Sequence, residues 1–115
     1  MKIKIDTKLP FYVGTNEENF EFDKLELEKI LKDYFSSNEN IIEKIAKFHA
    51  NFEKIHPFSD GNGRTGRLIM NFELMKAGYP ICIIRNEDRL EYYNSLNEAQ
   101  ANNNYNDIIK FIEDC

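Results

Sequence analysis

An all-α fold, a compact helical bundle led by a short N-terminal β-hairpin, is predicted by three features of this 115-residue chain. From residue 23 onward apolar residues recur at intervals of three and four, the spacing of helices that bury one face. Strict alternation is confined to the first few residues, where it suits a strand instead. Glycine, proline and asparagine gather at a few points between the periodic segments, marking tight turns rather than linkers. A single domain over residues 1–115 is expected, because 42% hydrophobic content supports one core and no repeat or compositional break divides the chain.

The elements follow in order. Ile3 and Ile5 alternate with Lys2 and Lys4, then Phe11, Tyr12 and Val13 follow a polar turn, so a hairpin is predicted over about 2–13. Pro10 restricts it to a sheet edge, since it cannot donate to a ladder. A first helix is predicted from an Asp23 cap through Leu27, Ile30, Leu31, Tyr34 and Phe35, ending at the Ser36 to Asn40 run. The second runs from near Asn40 to about Ile55 and turns Ile41, Ile42, Ile45, Phe48, Phe52 and Ile55 inward. The third, over about 62–77, is expected to be central, anchored by Leu68, Ile69, Phe72 and Met75, and stopped by Gly78 and Pro80. Asn86 is the expected cap of a fourth, with Leu90, Tyr93, Leu96 and Ala99 on one side, and a last helix spans about Asn106 to Glu113.

Between the second and third helices stands His-Pro-Phe-Ser-Asp-Gly-Asn-Gly-Arg-Thr-Gly-Arg, residues 56–67. Pro57 favours an extended His56, so residues 56–63 are predicted to open as a loop. An imidazole can accept a proton near neutral pH, which makes His56 a candidate general base. Asp60 supplies the hard oxygen donor that Mg²⁺ prefers. Gly61, Asn62 and Gly63 let successive backbone N–H groups converge on an anion, and a helix starting there adds its free amides and positive dipole end. Arg64 and Arg67, three apart, share a helix face from which planar guanidinium groups can grip outer phosphates. The set points to chemistry on a polyphosphate. Phe58 is expected to plug the core beneath the loop and His49 to be an ordinary core histidine.

A net charge of −5 argues against a nucleic-acid surface. No apolar run is long enough for a membrane span and no secretory leader is visible, so a cytoplasmic location is expected. Cys82 and Cys115 lack metal-type spacing and are expected to be unpaired in a reducing compartment. Abundant Asn, Ile, Lys and Glu resemble the usage of an AT-rich genome such as a bacterium's.

At every specified position residues 56–67 fit the signature H-x-F-x-[D/E]-G-N-G-R-x-x-R, so the chain resembles a Fic domain. The resemblance implies a Fic-type helical bundle that transfers AMP from ATP to a Ser, Thr or Tyr hydroxyl of a target protein, releasing pyrophosphate. It implies His56 as base, Asp60 as the Mg²⁺ ligand, Gly61, Asn62 and Gly63 around the α-phosphate, and Arg64 and Arg67 on the β- and γ-phosphates. The stretch 89–100 is similar to the family's next helix, which would make Tyr93 and Gln100 the base pocket. The hairpin resembles the family's flap, with Ile5, Asp6, Thr7, Lys8, Leu9, Pro10 and Phe11 pairing with a target segment.

In one respect the chain departs from many Fic proteins, which carry an inhibitory [S/T]-x-x-x-E-[G/N] helix. No Ser or Thr here is followed by Glu four residues later. An antitoxin-like partner, an excised core of a longer protein or an unregulated enzyme would each account for that. Gly63 also bears on the Doc-like phosphotransferase branch, which generally has Lys at this position. Transfer of UMP, phosphate or phosphocholine, and a catalytically idle nucleotide-binding regulatory module, are the alternatives.

Overall fold

In the computed structural model, which describes residues 17–58 and 60–115 with side chains from residue 23, five α-helices run in chain order. They are α1 (Glu17–Ser36), α2 (Ile41–Ile55), α3 (Asn62–Lys76), α4 (Arg89–Asn102) and α5 (Asn106–Glu113), with a 3₁₀ turn at Asn86–Asp88 leading into α4. The predicted hairpin, 2–13, lies outside the described residues. α1 is described from Glu17 onward, so it extends further towards the N-terminus than the expected start at Asp23. α2 starts as predicted, with the Asn40 side chain accepting from the Ile42 N–H at 2.9 Å.

The centre of the bundle is α2, not α3 as the sequence suggested. Among the described elements α2 packs against α1, α3, α4 and α5, whereas α3 packs against α2. Ala46 and Ala50 are fully buried, and such small side chains let neighbouring helices come close. Around them Ile42 and Ile45 meet Tyr34 from α1, Met70 and Leu74 from α3, Tyr92, Leu96 and Ala99 from α4, and Ile108, Phe111 and Ile112 from α5.

Two helices present a different face from the one expected. On α3 the buried positions are Asn62, Gly66, Met70 and Leu74, while Leu68, Phe72 and Met75 are exposed and Ile69 is half-buried. This helix carries apolar stripes on two sides, and periodicity alone could not say which one meets α2. On α4 the buried set is Tyr92, Ser95, Leu96 and Ala99, with Leu90 and Tyr93 exposed. The predicted stop of α3 holds for a physical reason. Gly78, at φ 86°, closes α3 while the Tyr79 N–H reaches the Leu74 carbonyl at 2.9 Å and the Gly78 N–H reaches that of Met75 at 3.0 Å, the paired bonds of a Schellman motif.

Cys82 and Cys115 are joined in a disulfide with Cα atoms 5.0 Å apart, which corrects the expectation of unpaired thiols. Asn71 ties Cys82, which lies between α3 and the 3₁₀ turn, to α3, accepting from the Cys82 N–H at 2.7 Å and donating to the Cys82 carbonyl at 3.2 Å. No helix among the described residues is long and apolar enough to cross a membrane.

Candidate active site

The signature loop joins the end of the bundle's central helix to the start of α3. His56 caps α2 in the left-handed region, φ 54° and ψ 57°, with its N–H bonded to the Phe52 carbonyl at 3.2 Å. The extended conformation expected from Pro57 is thereby corrected. Proline disfavours the right-handed helical region before it, and histidine is among the side chains that tolerate the left-handed one. A C-terminal cap satisfies an orphan carbonyl of α2 and turns the chain sharply at the candidate base.

Gly61 makes the second turn. It caps α3 at φ 76°, a conformation that favours glycine, and its carbonyl takes the first intrahelical bond, from the Thr65 N–H at 2.9 Å. The amides of Asn62, Gly63 and Arg64 precede that bond, so they are the free donors of the helix end. Asn62 is 3% exposed, and its side chain accepts from the Phe58 N–H at 2.8 Å and donates to the Phe58 carbonyl at 2.7 Å. That leaves the Asn62 backbone N–H, rather than its amide side chain, for an anion. Phe58 is half-buried and packs edge-on against Phe52, ring centroids 6.3 Å apart, in keeping with a plug beneath the loop.

Asp60 is exposed, and its Oδ1 accepts from the Gly61 N–H at 2.8 Å. Among the described residues no three His, Cys, Asp or Glu side chains converge on one metal position. A single exposed carboxylate beside an anion nest suits Mg²⁺, which keeps several waters and takes its remaining oxygens from substrate phosphates.

Arg64 is exposed and Arg67 half-buried. Arg67 folds back along α3, so that a Cβ placed on Gly63 would stand 2.7 Å from its Nη1. Beneath it, beside His49, lie Tyr92 and Glu53, which the sequence did not single out. Tyr92 from α4, 2% exposed, shares a 2.7 Å hydrogen bond with His49 Nε2, and its hydroxyl also interacts with Arg67. Burial pushes the Tyr92 phenol above its ordinary range, helped by the nearby Glu53 charge and opposed by Arg67. Burial likewise pushes Glu53 up to about 7, against the pull of Arg67. Their convergence was invisible in sequence because they come to Arg67 of α3 from two other helices, α2 and α4.

His49 is a core histidine, as expected, 1% exposed. Burial holds its pKa down at about 4, with a smaller opposing pull from the Gly66 backbone and a further depression from Arg67. Between about 4 and the unfolded value near 6.5 the unfolded chain binds a proton at His49 that the native one refuses, so the His49 contribution to stability falls as pH drops through that window, by about 3 kcal/mol in all. Urea melts of the wild type and of His49→Gln at pH 7 and pH 4.5 test this: the wild type loses more stability than the variant on acidification, and parallel losses would refute it.

Tyr93 and Gln100 lie on one flank of α4, nearly two turns apart. Tyr93 is half-exposed with its ring against Tyr92, centroids 5.2 Å apart, and Gln100 donates to the Ala50 carbonyl of α2 at 3.1 Å. The flap residues Ile5 to Phe11 lie outside the described residues.

Comparison with known proteins adds independent support. The model of the Fic/DOC family matches residues 6–74. The protein named protein adenylyltransferase Fic from Nematostella vectensis is 51% identical over 77 residues, covering 64% of this chain and 17% of that protein. Its namesake from Aedes aegypti is 49% identical over 70 residues, covering 61% and 14%. Among solved structures, Fic-1 from C. elegans superposes with a TM-score of 0.72 at 32% identity, covering 83% of this chain and 29% of that one. A Fic domain containing signaling protein from Bacteroides thetaiotaomicron gives 0.65 at 30% identity, covering 89% and 42%. The chain thus spans less than a fifth of the length of these two curated relatives.

Proposed function

This chain belongs to the Fic/DOC family, and from that membership we propose that it is a protein adenylyltransferase, moving AMP from ATP to a Ser, Thr or Tyr hydroxyl of a target protein. The observation that carries the reading is the junction of α2 and α3, where a left-handed His56 ends one helix and a Gly61-capped row of free amides begins the next. His56 takes the hydroxyl proton as that oxygen attacks the α-phosphorus in line, and pyrophosphate departs with the bonding pair of the broken P–O bond. Gly61, expected among the α-phosphate donors, has its own N–H held by Asp60 Oδ1 and sets the turn instead, so the amides of Asn62, Gly63 and Arg64 meet the α-phosphate charge, and Arg64 and Arg67 hold the β- and γ-phosphates. Asp60 would hold Mg²⁺, whose charge offsets that of the phosphates. Tyr93 and Gln100 form the side of the base pocket, and Ile5 to Phe11 align the target segment by main-chain pairing.

Position 63 favours nucleotidyl over phosphoryl transfer. A side chain there would meet the Arg67 guanidinium and crowd the amides of the helix end. The Cys82–Cys115 disulfide removes the cysteine-based argument for a reducing compartment, and the supply of ATP is what supports a cytoplasmic setting. An antitoxin-like partner, or a further segment of a longer protein, would supply the inhibition for which residues 1–115 hold no motif.

Incubation with a cell lysate, Mg²⁺ and ATP labelled at either end tests the reaction. Label from the α-phosphate is expected on protein and label from the γ-phosphate is not. Transfer of the γ label alone would mean phosphotransfer, and nucleotide binding with neither label transferred would mean a regulatory module.

A further inference from the structure

Between α3 and α4 the chain has little to hold it. From Met75 to Arg89 every residue is exposed save Cys82, which is buried, and the half-buried Ile84 and Asp88. Ile84 packs on the core, but Ile81 and Ile83 on either side of Cys82 are 43% and 64% exposed, so buried apolar area fastens this connector weakly. Two attachments meet at Cys82 instead. Its backbone groups bond to the Asn71 side chain, and its sulfur joins that of Cys115, 33 residues on.

The two attachments are unequal. Asn71 is half-buried, and hydrogen bonds that water can replace contribute modestly. The disulfide is covalent and ends at Cys115, just past α5. α5 does not need it, because Ile108, Phe111 and Ile112 are buried in the core and the helix packs on both α2 and α4. The disulfide therefore fastens a loosely held connector to a helix that is already anchored.

We propose that Cys82 and Cys115 form a redox-responsive clamp: oxidised, they pin the connector to the end of α5, and reduced, they release residues 77–88 and the first turn of α4 while the bundle stays folded. The connector joins the helix that carries Arg64 and Arg67 to the one that carries Tyr93, so the clamp governs how firmly those two helices are linked. The step is exchange with a small thiol of the glutathione class. Cys115 is exposed and Cys82 is 2% exposed, so the thiolate attacks the Cys115 sulfur, forming a mixed disulfide and expelling Cys82 as a thiolate that takes up a proton. A second small thiolate then frees Cys115. The protein disulfide is reduced to two thiols while two small thiols are oxidised to one disulfide, and a small disulfide reverses the exchange.

Hydrogen exchange followed by mass spectrometry, on the whole chain before and after treatment with dithiothreitol, tests this without nucleotide, so its outcome is independent of the transfer reaction. Air-oxidised protein should show no free thiol. On reduction the amides of 77–92 should exchange at least about tenfold faster, the mark of local opening, while those of 42–52 in α2 keep their protection. Cys115→Ser, untreated, should match the reduced wild type and respond no further to dithiothreitol. Two free thiols in the oxidised protein would remove the bond, and unchanged exchange would remove its grip. Protection lost in α2 together with the connector would make the disulfide a staple of the whole fold. Each of these three results overturns the proposal, as does a Cys115→Ser protein that exchanges like the oxidised wild type.

Discussion

Replacing His56 by alanine should reduce adenylyl transfer by at least about 10²- to 10⁴-fold, the contribution of a positioned general base, while nucleotide affinity changes little. The backbone complicates that experiment in a useful way. His56 holds φ at 54° as the cap of α2, and alanine pays about 1–2 kcal/mol to stay left-handed. Asparagine tolerates the same region and keeps the cap. His56→Asn should therefore melt closer to the wild type than His56→Ala, with both equally inactive toward α-labelled ATP. Initial rates set beside calorimetric binding separate loss of the base from loss of the fold. Wild-type rates in His56→Asn would remove this imidazole from the mechanism.

The second large effect is expected at Asn62. Its side chain closes both backbone groups of Phe58, at 2.8 and 2.7 Å, and so fixes the distance between the plug and the first turn of α3. Asn62→Ala breaks both bonds, a cost of about 1–3 kcal/mol. The consequence for activity is larger, because free amides displaced by an ångström no longer meet the α-phosphate, and misplacement on that scale costs about 10²-fold. Thermal melts and transfer rates of the variant check both numbers. Asn62→Asp should lose activity as well, since it keeps the acceptor for the Phe58 N–H but brings a negative charge to the anion's seat. Near-wild-type rates in Asn62→Ala would show that the loop holds its shape without this brace.

What could be read from the chain was whatever depends on neighbours in sequence. The Asn40 cap, the Gly78 stop and the contiguous run from His56 to Arg67 each act within a few residues, and those boundaries fall within about a turn of where they were expected. The packed faces were harder. α3 bears apolar side chains on two sides, and the choice of Met70 and Leu74 over Leu68, Phe72 and Met75 is made by α2, which no window along α3 contains. The same holds on α4, where adjacent tyrosines exchange the roles that periodicity assigned them, Tyr92 inside and Tyr93 outside. At His56 the extended preference set by Pro57 yields to a helix-capping bond. Glu53 gave no signal at all. A lone glutamate at a helix position looks solvated until Gly66 and Arg67 are seen beside it.

The lodging of the Arg67 guanidinium against bare Gly63 constrains how this protein can drift. The atom in the way of a new side chain at residue 63 ends a long flexible stem, so the protein would melt much as before while the arginine swung from its berth. Thermal screening would pass such a mutant as harmless. A lineage exploring different transfer chemistry through residue 63 would have to rehouse Arg67 in the same evolutionary step.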